Sequence, residues 1–235
     1  MAIIKSDLFN EMSGRVGRNL FAYTRMGQVI LRRGPGPRKK SSQAQEVCMS
    51  SVTCMNMLYS AVRRIMKWEV WKLAGAPHGK MANNYFARVN KGIFDERRQI
   101  RSYSQLVLTE GTLCNPAGMA VNYTGQGLRY EVTWVAEDGP GARAGTSELQ
   151  VILLLDHPRE DFFGFYQDWA IDVEGTRDGG CGGFTVAEDF ADLARQKGIA
   201  TLQVYCFFAA PDRKAFSRST HFEIRLDNVA VIHQE

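Results

Sequence analysis

The sequence predicts an α+β protein: an N-terminal β-hairpin and basic arm with helices, followed by a C-terminal antiparallel, immunoglobulin-like β-sandwich. Three observations carry this. The 235 residues are 45% apolar and 23% charged, a globular mixture with material for a core. Apolar periodicity is helical from Ser42 to Phe94 and gives way to short alternating runs after Arg101. The charge changes sign near the same place. Residues 1–105 hold 19 Lys and Arg against 6 Asp and Glu, a net of +13, and residues 106–235 hold 10 against 19, a net of −9. We therefore expect two parts, 1–105 and 106–235, with different tasks.

Leu20–Tyr23 and Val29–Leu31 are β-prone runs, and Arg25-Met26-Gly27 between them can turn, so the segment reads as a hairpin. Two strands alone are marginal. The following RRGPGPRKKSS, from Arg32 to Ser42, contains Gly and Pro that bar helix and ladder alike, and carries five cations. It reads as a linker or as a cationic arm for phosphate or an acidic protein groove. A long helix then starts behind Ser41 or Ser42 as N-cap. Val47, Val52, Met55, Leu58, Tyr59, Val62, Ile65 and Met66 recur at helical spacing, Trp68 and Trp71 extend the stripe, and Gly75 and Pro77 stop it. A Met-rich stripe of this kind is more often core or interface filler than a partner groove. Residues 78–94 read as a second, shorter helix. Gly75 to Lys80 fails as a phosphate loop, because the glycine spacing is short and Met81 stands where a hydroxyl should hold magnesium.

Beyond Arg101 the strand candidates are Leu106–Thr109, Leu128–Val135, Leu149–Leu155, Ile171–Val173, Ile199–Ala209, Thr220–Leu226 and Val229–Ile232. Turn signals such as Asp138-Gly139-Pro140 and Pro211-Asp212-Arg213 separate them, the spacing of a sandwich. Trp134 is placed as a core aromatic, Gly179–Gly183 as a flexible loop tip, and Phe184–Lys197 as a short helix or turn.

Three marks occur in order along most of the chain. The first is Ser13-Gly14-Arg15-Val16-Gly17, then an Arg-rich strand and the helix start Ser42-Gln43-Ala44-Gln45. The second is Asn84 to Asn90 with Tyr103–Leu113, and the third Val204–Phe208 with Phe216-Ser217-Arg218-Ser219. In this order the chain resembles a domain-of-unknown-function family of Bacteroides-type bacterial proteins. It departs from that pattern at Lys39-Lys40-Ser41, where Asn-Pro is expected before the long helix. The resemblance implies an order of elements and brings no enzyme activity, cofactor or catalytic residue.

Chemistry is sparse. The five cysteines are irregularly spaced and follow no export signal, as free thiols in a reducing cytosol would be. No paired ligand motif suggests a metal, and no G-x-S-x-G or placed base suggests a hydrolase; His157 and Cys181 are a dyad only by imagination. The carboxylates from Asp156 to Asp178 lack calcium-loop spacing and read as solvated loops. No stretch suits a membrane span. We expect no enzyme, no cofactor and no small-molecule substrate. The expected role is a structural or assembly protein, a repeated subunit of a larger complex such as a phage virion, cytoplasmic at synthesis and then incorporated. Its partners would be copies of itself or other structural subunits. The alternative is a nucleic-acid-binding protein using the basic N-terminal arm. Partner contacts are expected at Arg25, Arg32, Arg33, Arg38, Lys39, Lys40, Trp68 and Trp71.

Overall fold

The computed structural model describes residues 2–4, 14–16, 20–25, 28–33, 42–66, 68–95, 99–136, 146–156 and 165–226. They form three four-stranded antiparallel sheets and four α-helices, an α+β fold. The chain divides into two compact units, Met1–Glu46 and Val47–Glu235.

In the first unit the expected hairpin is present as β3 (Leu20–Arg25) and β4 (Gln28–Arg33). It is widened by β1 (Ala2–Ile4) against β4 and β2 (Gly14–Val16) against β3, giving the order β1-β4-β3-β2. The flanking strands take up ladder groups that a bare hairpin would leave unpaired. The arm residues 34–41 lie outside the described residues.

Helix α1 (Gln43–Ile65) starts at the expected cap. The Ser42 hydroxyl accepts the Gln45 N–H at 3.3 Å, and Gln45 Oε1 accepts the Ser42 N–H at 3.0 Å, a reciprocal capping box. The stripe expected to run unbroken to Gly75 is two helices, with α2 at Val70–Gly75. At the break Trp169 Nε1 donates to the Ile65 carbonyl at 2.8 Å, satisfying one of the open acceptors at the α1 end. The second helix, expected over 78–94, is shorter: α3 (Ala82–Val89), preceded by a 3₁₀ turn at Ala76–His78.

The central sheet has the order β12-β11-β7-β8, with β7 (Glu148–Asp156), β8 (Phe165–Trp169), β11 (Thr201–Ala209) and β12 (Thr220–Arg225). The outer sheet is β5-β6-β10-β9, with β5 (Ala120–Tyr123), β6 (Arg129–Thr133), β9 (Ile171–Glu174) and β10 (Cys181–Thr185). VILLL in β7 and VYCFFA in β11 are apolar without alternation because both faces of these strands are buried. Ile152, Leu154, Tyr205 and Phe207 point into a core shared with Leu58, Val62, Trp71 and Phe86 of the helices. Val151, Leu153, Val204 and Phe208 point the other way, into a core shared with Tyr130, Val132, Trp134 and Phe184 of the outer sheet and with α4 (Glu188–Gln196). The layers are therefore helices, central sheet and outer sheet.

This layering moves the expected boundary. The division at 105/106 does not separate compact bodies, because the helices from Cys54 onward supply one wall of the core whose other wall is β7 and β11. The helical cover also distinguishes the fold from a two-sheet sandwich with both outer faces solvated. Leu106–Thr109, expected as a strand, is buried without a ladder. The Val107 and Leu108 backbone groups are taken by Asn90, Trp71 and Ser219 side chains, while the Leu106 N–H donates to the Tyr103 carbonyl and the Thr109 carbonyl accepts the Ser219 N–H. Gly179–Gly183, expected as a loop tip, leads into β10. Val229–Ile232 lies outside the described residues.

Candidate functional site

The register of the first sheet determines which residues share a face. Arg15 pairs with Phe21 across β2 and β3, and Phe21 pairs with Arg32 across β3 and β4. Cross-strand partners stand on one face, so Arg15, Phe21 and Arg32 form a row with the ring between two guanidinium groups. Tyr23 follows two residues along the same strand and hence on the same face. The Arg32 guanidinium carbon sits 5.5 Å from the Tyr23 ring centroid, a cation–π contact. Arg15, Phe21 and Arg32 are exposed and Tyr23 half-buried. Arg33 pairs with Leu20 and belongs to the opposite face, and Arg25 closes β3 opposite Gln28. Arg38, Lys39 and Lys40 lie outside the described residues.

The two tryptophans expected at a partner surface part company. Trp71 is buried, donates its indole N–H to the Leu108 carbonyl at 2.9 Å, and meets Phe86 edge-on at 4.8 Å. It is core. Trp68 is half-buried in a cluster with Trp169 at 5.3 Å and Phe216 at 5.9 Å, and the Arg213 guanidinium lies 4.7 Å over its ring. Arg213 is held in turn by Glu148 at 2.5 Å. The cation and ring thus join α1–α2, β7 and the loop after β11 in one contact.

Two features were not anticipated. The first is a polar relay on the helix-side face of β11 and β12. Gln203 Nε2 donates to Glu223 Oε1 at 3.0 Å, which orients the Gln203 amide so that Oε1 accepts His221 Nε2–H at 2.6 Å. Burial lowers the His221 pKa, more than Glu223 raises it. The Tyr205 ring lies 5.1 Å from the imidazole and donates its hydroxyl to the Tyr103 carbonyl at 2.9 Å. Burial pushes the Tyr205 hydroxyl well up, so it stays protonated. The relay was legible in part: Gln203 is the one strongly polar residue in LQVYCFFA, and His221 and Glu223 share a strand face at spacing two. The pairing of those strands was needed to join them.

The second feature is charge by layer in Val47–Glu235. Arg63, Arg64, Lys72, Arg88 and Lys91 are exposed on the helical side. Glu131, Asp172, Glu174, Glu188 and Asp189 are exposed on the outer sheet and α4. The central sheet separates the two sets. Glu174 is paired with Arg129, and Lys72 with Glu69 at 2.8 Å; at the end of α4 Arg195 and Lys197 are exposed, Arg195 paired with Asp192 at 2.6 Å, so the layers differ in their predominant sign.

Cys54 and Cys206 are buried free thiols, and burial pushes the Cys206 thiol far above its ordinary range; Cys114 and Cys181 are exposed. Among the described residues, no group of three or more His, Cys, Asp and Glu could hold a metal ion. No helix among them is long and apolar enough to cross a membrane. No protein-family model matches the chain, and no curated protein matches it.

Proposed function

We propose that the chain is a non-enzymatic assembly subunit, a repeated component of a larger complex such as a phage virion, with its paired sheets as a sandwich-like body. The observation that carries this reading is the charge layering of Val47–Glu235. Exposed cations predominate on the helical side, where Glu69 is paired with Lys72, and exposed carboxylates predominate on the outer sheet and α4, where Arg195 is paired with Asp192 and Lys197 is also exposed; the central sheet lies between. A body with opposite charges on opposite sides has an attractive partner in the next identical body. Such head-to-tail contacts are heterologous, and they close into rings or continue as filaments. At a Debye length of about 8 Å only touching faces benefit, so apolar contact must accompany the charges. Met49 and Val52, 61% and 55% exposed on α1, are available for it.

Charge reversal tests the reading. The wild-type chain should sediment as defined oligomers at low salt and dissociate at high salt. The variant Arg63→Glu with Arg64→Glu should be monomeric at low salt. Mixing it with a second chain carrying Glu188→Lys and Asp189→Lys should restore association, because one complementary pair of faces is rebuilt. A wild-type monomer at both salts, at concentrations well above micromolar, would reject the assembly reading.

A further inference from the structure

We propose that the face of the N-terminal sheet bearing Phe21, Tyr23 and Arg32 binds single-stranded nucleic acid. The proposal is independent of the assembly reading, which rests on Val47–Glu235 alone.

Three observations carry it. First, spacing: Phe21 and Tyr23 stand two residues apart on β3, on one face. At a strand rise of about 3.4 Å per residue the backbone positions that carry the two rings are about 7 Å apart. That is the step between neighbouring nucleotides in an extended strand, so successive bases can be received by successive rings. Second, the cations are interleaved with the rings rather than segregated from them. Arg32 is the cross-strand partner of Phe21 and lies over the Tyr23 ring, so a base reaches Tyr23 by stacking on that guanidinium or by displacing it toward a phosphate. A guanidinium plane is itself a surface on which a base can stack. Third, charge complementarity: the four strands of the sheet carry Arg15, Arg25, Arg32 and Arg33 and no Asp or Glu. An acidic protein partner would be served by the cations alone and would not need exposed rings between them. Stacking plus phosphate contact is the combination that tolerates any base sequence. A duplex offers its phosphates but hides its base faces, so the face should prefer single strands.

The test uses the full chain and a fluorescently labelled oligothymidylate of about 12 nucleotides, within the range that single-strand-binding modules cover. Anisotropy should show binding at low salt that weakens as salt rises and exceeds binding to a duplex of the same length. Phe21→Leu and Tyr23→Leu, which keep apolar bulk and remove the ring, should each weaken binding by about tenfold or more. Phe21→Trp should retain or strengthen it. Leu20→Thr, on the opposite face of the same strand, should leave it unchanged, which separates a lost face from a lost sheet. Three results would overturn the proposal: no binding at low salt, ring variants that bind like wild type, or equal competition by polyglutamate and oligothymidylate. The last would assign the face to an acidic protein.

Discussion

At the scale of single residues, this molecule satisfies irregular backbone with a few side chains. Asn90 is the clearest case. It is buried, its Nδ2 donates to the Phe86 carbonyl at 3.2 Å and the Val107 carbonyl at 3.0 Å, and its Oδ1 accepts the Val107 N–H at 2.8 Å. Asn90→Leu would leave both Val107 backbone groups buried without these partners. At about 1–3 kcal/mol for each unsatisfied group, the expected loss is about 2–6 kcal/mol. It should be read as a lower urea midpoint at unchanged slope. His221 makes a pH prediction. Its folded pKa lies below the ordinary histidine value of about 6.5, because burial disfavours the charged ring. Above that value both folded and unfolded chains hold it neutral and it adds nothing to the pH slope. As pH falls through the unfolded value, the unfolded chain takes up a proton that the folded chain resists, so stability falls with falling pH until the folded pKa is passed. Comparing unfolding of wild type and His221→Phe between pH 7.5 and 5.5 checks this. The wild type should lose more stability than the variant over this interval, which brackets the usual histidine range. Equal losses would show that His221 adds no pH dependence over this interval.

At the scale of elements, glycines separate close approach from mere turn geometry. In β10 a Cβ on Gly182 would stand 2.3 Å from the Glu174 carbonyl oxygen and 3.1 Å from the Trp134 ring. Gly182→Ala therefore has to push β9 away from β10, and it should cost several kcal/mol, at the upper end of overpacking penalties of about 1–3 kcal/mol or beyond. Gly198, just past α4, has φ +67° and nothing within 4 Å of a built Cβ. Gly198→Ala meets only the left-handed backbone preference, about 1–2 kcal/mol. Thermal melts of the two variants should rank in that order. The same strand shows where the sequence was hard to read. CGGFT has two glycines and little β propensity, and its strand identity comes from pairing with β6 along its whole length and from close backbone approach to β9, both tertiary. β7, β11, β12 and α4 were legible because their apolar runs and turn signals are local. Leu106–Thr109 had the right composition for a strand, but Val107, Leu108 and the Thr109 N–H are partnered by side chains of Trp71, Asn90 and Ser219, which no local pattern announces. On the N-terminal sheet the aromatic and basic residues were visible in sequence. That Phe21 stands between Arg15 and Arg32 follows only from the three-strand register.

At the scale of the whole molecule, charge arithmetic pointed to a division near residue 105, and packing puts the division elsewhere. The reason is that charge is read on surfaces and compactness on cores. The basic helical segment and the acidic sheet segment differ outside, yet they share the core between α1–α3 and the central sheet. This makes a fragment experiment decisive. A chain of residues 47–235 keeps both cores and should fold cooperatively. A chain of residues 106–235 loses the helical wall and leaves Ile152, Leu154, Tyr205 and Phe207 facing water on one side of the central sheet. Each of these side chains is now completely buried. At about 1.5–3 kcal/mol per buried apolar side chain, exposing the four forfeits roughly 6–12 kcal/mol. The whole stability of a domain is about 5–15 kcal/mol. The shorter fragment should therefore be aggregated or unfolded, without a cooperative thermal transition, while the longer one melts as a unit. Limited proteolysis of the intact chain should correspondingly release a resistant body beginning near Val47 and not near Tyr103. A stable, monomeric 106–235 fragment would mean that the outer sheet and α4 alone hold the central sheet, and that the helical layer is an addition to a self-sufficient pair of sheets.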